Sequence, residues 1–319
     1  MHILRFACPA FVVGIGVFGA SAVLAQAYPS KTIRMFTPEI GSQSDLAARL
    51  IAKELQASLG QTVVVENRAL IGVELAAQAA GDGYTLLHYS NPLWIIPLFR
   101  GNVSWDAGRD FTPIGMTVVS PNVLVVHPAL PVKSVKELIA LAKARPGELN
   151  YGTSSTGAGN HVAGELFKSM AGVKIVRIAY KGGSSSLNAL IAGEMHLSFP
   201  AAGSVMGHVK GGKLRALAVT SPEPSALAPG LPTMAASGLP GYESLSYTCM
   251  FAPARTPAPL VSRLSQEVAQ GLRVPVVKER LFNVGSEVVG SSPSEAAATI
   301  RSETERIRKL ISDAGLREN

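Results

Sequence analysis

The chain has 319 residues, a formal net charge of +7 and 47% hydrophobic residues. Its Lys and Arg residues are scattered, and no basic stripe with interleaved aromatic residues is visible, which argues against a nucleic-acid-binding protein. A mildly basic surface is compatible with small anionic ligands instead. Of the two cysteines, Cys8 precedes a predicted cleavage site and Cys249 follows it, so the mature chain is expected to form no internal disulfide.

Residues 1–27 are typical of a secretory signal peptide. Arg5 gives a basic start, residues 6–20 form an apolar run, and the small-residue segment "SAVLAQA" follows. We therefore expect export to a bacterial periplasm, with cleavage after Ala25 or Ala27. The alternative is a retained membrane anchor, because the apolar run approaches spanning length.

After this segment, short β-branched runs alternate with helical patterns. This alternation predicts mostly parallel sheets flanked by helices, and the number of units exceeds one sheet, which indicates two domains. The predicted strands cover residues 31–37, 62–67, 84–90, 122–128, 148–154, 174–180, 195–201, 214–221 and 247–254. The predicted helices cover residues 44–60, 72–80, 134–144, 160–172, 184–194, 204–212, 257–272 and 292–315.

The first predicted helix shows how the local signals work. Its pattern places Leu46, Leu50 and Leu55 on the buried side, and Gly60 ends the helix. In the helix 134–144, Ser134 is followed three residues later by Glu137, which predicts a capping box.

Three loops that join a predicted strand to a helix are rich in glycine and hydroxyl side chains. They are residues 37–45, 151–161 and 180–186. In parallel sheets, ligands bind at the carboxyl ends of the strands, where helix N-termini offer free N–H groups and a positive dipole end to anions. The alternative for each loop is ordinary N-capping by Ser and Thr.

No motif for catalysis or metal binding is found. The sequence has no HExxH, CxxC or GxSxG pattern, and "GTSSTG" has the wrong spacing for a nucleophile elbow. A hydrolase that uses a loop serine with His161 remains an alternative, but it lacks a third orienting residue at motif spacing. We predict a protein without catalytic residues, metal or cofactor.

Several stretches together carry a resemblance to a known family. They are "YPSKTIR", "LGQTVVVENR", "DGYTLL", "HVAGELFKSMAGV", "YKGG", "GKLRALAVTS" and "FAPARTP". With them the chain resembles the Bug-type periplasmic solute receptors, the binding proteins of tripartite tricarboxylate transporters. The resemblance implies a two-lobed, type II Venus-flytrap α/β fold, in which each lobe is a mostly parallel sheet flanked by helices.

The resemblance also implies function and partners. It predicts a monomer that binds a small carboxylate or an amino-acid-like ligand in the cleft, with membrane components of the transporter as partners. A receptor that feeds a sensor kinase is an alternative which the sequence does not separate from this one.

The resemblance divides the chain between the lobes. Lobe 1 is expected to contain residues 28–122 and 248–319, and lobe 2 residues 123–247, with crossings near 121–125 and 247–251. The expected ligand-binding residues of lobe 1 are Thr37, Glu39, Gly41, Ser42, Ser44, Asp45 and Ser90. Those of lobe 2 are Thr153, Ser154, Ser155, Thr156, Gly157, His161, Tyr180, Lys181, Gly182 and Ala201.

Two departures from the family pattern affect the expected ligand. Glu39 follows Pro38 in the first loop, and "ALIG" at 69–72 replaces a glycine-rich segment. If Glu39 faces the cleft, it repels a second ligand carboxylate or holds an ammonium group; otherwise its side chain is solvated outside. The sequence thus leaves the ligand open between a mono- or dicarboxylate and an amino-acid-like molecule.

Overall fold

The computed structural model describes residues 28–315, so the predicted signal peptide lies outside the described residues. The strands of this part are β1 (Ile33–Thr37), β2 (Val63–Asn67), β3 (Thr85–Ser90), β4 (Phe111–Pro121), β5 (Val123–Val126), β6 (Asn150–Thr153), β7 (Val176–Ala179), β8 (Leu197–Ser198), β9 (Arg215–Val219), β10 (Leu245–Pro253) and β11 (Glu287–Val288). The helices are α1 (Gln43–Leu59), α2 (Ala69–Gln78), α3 (Pro92–Phe99), α4 (Ala107–Asp110), α5 (Val135–Ala144), α6 (Gly159–Ala171), α7 (Gly183–Ile191), α8 (Ala202–Lys210), α9 (Ala258–Arg273), α10 (Pro275–Asn283) and α11 (Pro293–Ala314).

The strands form two sheets with the same pattern. The first has the order β11-β4-β10-β3-β1-β2 and the second β7-β6-β8-β5-β9. In the first sheet β1 pairs in parallel with β2 and β3, while β10 is antiparallel to both β3 and β4. In the second, β6 pairs in parallel with β7 and β8, while β5 is antiparallel to β8 and β9. Each sheet is therefore mixed, with four strands that share a direction. In the first sheet β10 and the edge strand β11 run against these four, and in the second sheet β5 does.

The reversed strands β10 and β5 belong to the two connections between the sheets. Strand β4 of the first sheet ends at Pro121, and β5 of the second sheet begins at Val123. The chain leaves the second sheet after β9 and re-enters the first with β10, where Leu245 pairs with Pro121. We call the part built on the first sheet lobe 1 and the part built on the second lobe 2. The predicted two-lobed α/β architecture is confirmed.

Helix α1 shows where the local prediction was right and where it was wrong. It ends at Gly60, which adopts a left-handed φ of 67° as the C-cap. Leu55 is fully buried, but Leu46 is 37% exposed. The buried stripe runs through Ala47, Ala48 and Ile51, because helix α9 packs on that side of α1.

Residues 91–121 contain three elements that the sequence analysis did not predict: α3, the short helix α4 and β4. Helix α3 carries Pro97 inside it, and strand β4 contains Pro113 and Gly115. Both residue types weaken the local signal for their element. Strand β4 is nevertheless extended over eleven residues because β10 pairs along its whole length.

The two lobes also pack through helices. Val162 of α6 belongs to a buried cluster with Trp94 and Phe99 of α3 and Ile307 of α11. Since α6 follows a strand of lobe 2 while α3 and α11 pack on lobe 1, this apolar cluster joins the lobes beside the two connections. Over residues 28–315, no helix combines the length and hydrophobicity needed to cross a membrane.

Candidate ligand-binding cleft

A cavity of about 460 Å³ lies between the two lobes. Its lobe 1 wall is formed by Pro38, Glu39, Ser42, Gln43, Ser44, Ala69, Leu70, Ile71, Tyr89, Ser90, Pro92, Ile96, Ser246 and Thr248. Its lobe 2 wall is formed by Ser154, Ser155, Ala158, Lys181, Gly182 and Gly183. The cavity volume falls within the range of small-molecule binding sites.

Five helices begin at this cavity. Helices α1, α2 and α3 follow the carboxyl ends of β1, β2 and β3, and helices α6 and α7 follow those of β6 and β7. The cap or first residue of each helix lines the cavity: Ser42, Ala69, Pro92, Ala158 and Gly182. Helix N-termini carry free N–H groups and a positive partial charge. Their convergence makes the cavity suited to an anion.

The loop between β1 and α1 is held by Asp45. Its carboxylate accepts hydrogen bonds from the Gly41 N–H (2.9 Å) and Asn67 Nδ2 (2.8 Å), and it pairs with Arg49 (3.0 Å). Burial by itself would raise the pKa of Asp45, but the bonds from Asn67, Gly41 and Arg49 outweigh it and lower that pKa. Asp45 is thus a buried anchor of the loop, and it lies behind the cavity wall.

Three consecutive residues at the start of α1 line the cavity. Ser42 caps the helix, with Oγ accepting from the Asp45 N–H at 3.2 Å. Nε2 of Gln43 donates to Ser120 Oγ at 2.6 Å, which ties the helix to the end of β4. The Ser44 carbonyl accepts from Nδ1 of the buried His88 at 3.0 Å. Burial lowers the pKa of His88 to about 4, which keeps the ring neutral.

In the loop between β6 and α6, Arg177 determines which hydroxyls face the cavity. Its guanidinium donates from Nε to Thr153 Oγ1 at 3.0 Å and from Nη2 to Thr156 Oγ1 at 3.1 Å. Both threonines are buried and do not line the cavity. Ser154 lines it while its hydroxyl donates to Asn160 Oδ1 at 2.9 Å. Ser155 lines it with an exposed side chain.

His161 supports this same loop. Its Nδ1 accepts from the Gly157 N–H at 3.0 Å, where Gly157 has a left-handed φ of 78°. The ring is buried and packs against Phe99, with centroids 4.9 Å apart. His161 does not line the cavity, so the serine–histidine pair of a hydrolase has no geometric support there.

The loop between β7 and α7 contributes Lys181 and Gly182 to the cavity wall. The preceding residue, Tyr180, donates its N–H to Thr153 O at 2.9 Å and packs against an apolar cluster of lobe 2. Ala201 forms a β-bridge with Asn122 between the lobes. Neither Tyr180 nor Ala201 lines the cavity.

The predicted site residues therefore divide into two groups. Those in the cavity wall are Glu39, Ser42, Ser44, Ser90, Ser154, Ser155, Lys181 and Gly182. Those behind or beside the wall are Thr37, Gly41, Asp45, Thr153, Thr156, Gly157, His161, Tyr180 and Ala201.

The sequence analysis missed several residues of the wall. They are Pro38, Gln43, Ala69, Leu70, Ile71, Tyr89, Pro92, Ile96, Ala158, Gly183, Ser246 and Thr248. Ser246 and Thr248 lie on β10, which is distant in sequence from the strand–helix loops that carried the signal. Ala69 has a left-handed φ of 42°, a conformation that favours glycine. Ala69 directly follows "ENR", after which the family pattern has a glycine-rich segment.

Within residues 28–315 no group of three or more His, Cys, Asp or Glu residues is arranged to hold a metal ion.

The chain has the architecture of a solute-binding receptor: a two-lobed α/β fold in which helix N-termini of both lobes meet at one cavity. The chain belongs to the family described as tripartite tricarboxylate transporter family receptor, TctC, whose profile matches residues 47–316. Receptors of this family are periplasmic.

Known proteins resemble the chain over nearly its whole length. It is 34% identical over 313 residues to protein BugT of Bordetella pertussis, covering 94% of this chain and 96% of BugT. A solved structure described as R. palustris Rpa4515 with adipate is 34% identical with a TM-score of 0.83, covering 90% of this chain and 98% of that one. Periplasmic binding protein BugD is 29% identical with a TM-score of 0.81, covering 92% of this chain and 100% of BugD.

Proposed function

We propose that this protein is a periplasmic receptor that captures a small carboxylate and delivers it to the membrane components of a tripartite tricarboxylate transporter. The observation that carries the proposal is the convergence of five helix N-termini on one cavity between the lobes. Delivery to a transporter is supported by the family to which the chain belongs. Adipate in the Rpa4515 structure supports a carboxylate as the ligand class.

The ligand carboxylate is expected to lie where lobe 1 and lobe 2 both offer donors. The first turn of α1 contributes N–H groups and the hydroxyl-bearing residues Ser42 and Ser44. Lobe 2 contributes Ser154 and Ser155 before α6, and Lys181 before α7. A hydrogen bond to a charged group contributes about 1.5–3 kcal/mol, so a few such bonds suffice for micromolar affinity.

The lobes are expected to close on the ligand by a hinge at their two connections. We further propose export before this function, with cleavage of the signal peptide after Ala25 or Ala27. Tyr28 is held in place by two hydrogen bonds: its hydroxyl donates to Gly83 O at 2.8 Å and its carbonyl accepts from Arg263 at 2.7 Å.

Binding is tested by a thermal-shift screen of the mature protein with mono-, di- and tricarboxylates and amino acids, followed by calorimetry. The uncharged amide of each acid that binds is the matched control. We expect at least one acid to bind with one-to-one stoichiometry and its amide to bind at least tenfold more weakly. A screen without any stabilising acid, or an amide that binds as well as its acid, contradicts the proposal.

Delivery is tested by uptake of the labelled ligand in cells. Uptake should require both this receptor and the membrane components of a tripartite transporter. Uptake that persists without those components contradicts delivery while leaving the binding result intact. Mass spectrometry of the ligand after incubation should recover it unchanged.

A further inference from the structure

The cavity wall contains one acidic and one basic side chain, one on each lobe. Glu39 lies in the β1–α1 loop of lobe 1, and Lys181 lies before α7 of lobe 2. Neither forms a salt bridge with another described residue. The site thus offers an uncompensated negative charge opposite an uncompensated positive one.

The negative charge of Glu39 differs from that of its neighbour Asp45. Asp45 is buried and compensated by Arg49 and Asn67, whereas the side chain of Glu39 is exposed at the cavity. Tyr89, also in the wall, has its pKa raised by burial first and by the charge of Glu39 in addition. Glu39 is therefore close enough to the wall to act electrostatically on whatever occupies the cavity.

Part of the lobe 1 wall is apolar. Leu70 and Ile71 at the start of α2 line the cavity with 39% and 64% of their surface exposed, and Pro92 and Ile96 of α3 line it as well. Such a surface suits the hydrocarbon body of a ligand.

We propose that Glu39 makes this receptor selective for a carboxylate whose far end is positively charged, such as an ω-amino acid, and disfavours dicarboxylates of the same length. This inference rests on the proposed function. The carboxylate is held by the helix N-termini and Lys181, the hydrocarbon chain lies along Leu70 and Ile71, and the ammonium group pairs with Glu39. A second carboxylate at that end would be repelled by the same side chain.

The test uses ligands that differ only at the far end. The six-carbon set is 6-aminohexanoate, hexanoate and adipate, and the five-carbon set is 5-aminopentanoate, pentanoate and glutarate. Affinities are measured by calorimetry at neutral pH for wild type and for Glu39→Gln. The control is Glu148→Gln, which makes the same change in net charge at an exposed residue outside the cavity wall.

In at least one set we expect wild type to bind the ω-amino acid best and the dicarboxylate worst. The two should differ by roughly tenfold, as expected for charge interactions at a partly exposed site. Glu39→Gln should remove this preference by weakening the amino acid and strengthening the dicarboxylate. Glu148→Gln should leave the order unchanged.

Four outcomes overturn the inference. In wild type, a dicarboxylate or monocarboxylate binds best, or neither ligand set binds. In Glu39→Gln, the wild-type order of affinities survives, or all three ligands are weakened equally. Equal weakening would instead indicate a direct ion pair between Glu39 and Lys181 that closes the cleft. The proposed function fails separately, when the whole panel of carboxylates fails to bind or when the amide of a bound acid binds as well as the acid.

Discussion

The hydroxyl of Ser246 donates a 3.0 Å hydrogen bond to Oδ1 of Asn122, and these two residues lie on the two connections between the lobes. Asn122 is buried between β4 and β5, and its Nδ2 donates to Phe199 O of lobe 2 at 2.6 Å. Ser246 also lines the cavity. A ligand that contacts Ser246 is therefore separated from Asn122, in the connection between the lobes, by a single hydrogen bond.

The first prediction concerns Gly159, at the start of α6. A Cβ atom there would lie 1.9 Å from Ser246 Oγ and 3.1 Å from Asn122 Oδ1. Gly159→Ala should displace Ser246 and break its bond to Asn122, lowering the free energy of unfolding by about 1–3 kcal/mol. Urea melts measure this.

The matched control for Gly159 is Gly207→Ala. Gly207 lies within helix α8 of the same lobe, and a Cβ there meets nothing within 4 Å. Alanine at that helix position should stabilise by about 0.5–1 kcal/mol. Equal stability changes in the two variants would show that the contact at Gly159 has no energetic consequence.

The second prediction concerns closure. The two sheets are separate and are joined by two connections of the chain, and α6 of lobe 2 packs against α3 and α11 of lobe 1. Ligand binding should bring the lobes together by rotation about the connections. Small-angle scattering should give a smaller radius of gyration with saturating ligand than without it. An unchanged radius at saturation counts against hinge closure.

The third prediction separates two serines of the β6–α6 loop. Ser155 exposes its side chain at the cavity, so Ser155→Ala should weaken ligand binding by about 10- to 150-fold with an unchanged urea midpoint. The Ser154 hydroxyl bonds Asn160 Oδ1, so Ser154→Ala should also lose about 1 kcal/mol of stability. Calorimetry and urea melts on both variants measure the two effects. If both variants lose only stability and keep wild-type affinity, the loop is only a helix cap.

The fourth prediction concerns the pH dependence of stability through His88. The pKa of His88 is lowered by burial from 6.5 to about 4 in the folded protein, so below pH 6.5 the unfolded chain binds a proton that the folded one does not. The contribution of His88 is full above pH 6.5 and is lost as the pH falls towards 4, by about 3 kcal/mol in total. Urea melts across this range should show that the free energy of unfolding falls less steeply with decreasing pH in His88→Gln than in wild type. The control is His208→Gln, at a residue that is not buried, in which the free energy of unfolding should depend on pH as in wild type.

The fifth prediction concerns export. N-terminal sequencing of protein from the periplasmic fraction should begin at Gln26 or Tyr28, as the small-residue segment before them predicts. Recovery of the intact chain, starting at Met1, from the membrane fraction would favour the retained anchor instead.

The sequence by itself determined most of the helices and strands and the types of residue at their ends. Strand patterns such as residues 31–37, and caps such as Ser134 and Gly60, depend on residues within a few positions of each other. The glycine and hydroxyl residues at the start of α1, α6 and α7 likewise marked loops that now border one cavity. These signals are local, because helix caps and strand alternation are formed by neighbouring residues.

Only the tertiary structure decided which of these residues face the cavity. Thr153 and Thr156 turn away because Arg177, more than twenty residues later, binds their hydroxyls. Strand β4 exists despite Pro113 because β10 pairs with it, and β10 then brings Ser246 into the wall. Each of these outcomes depends on hydrogen bonds and packing between segments distant in sequence, which no local pattern encodes.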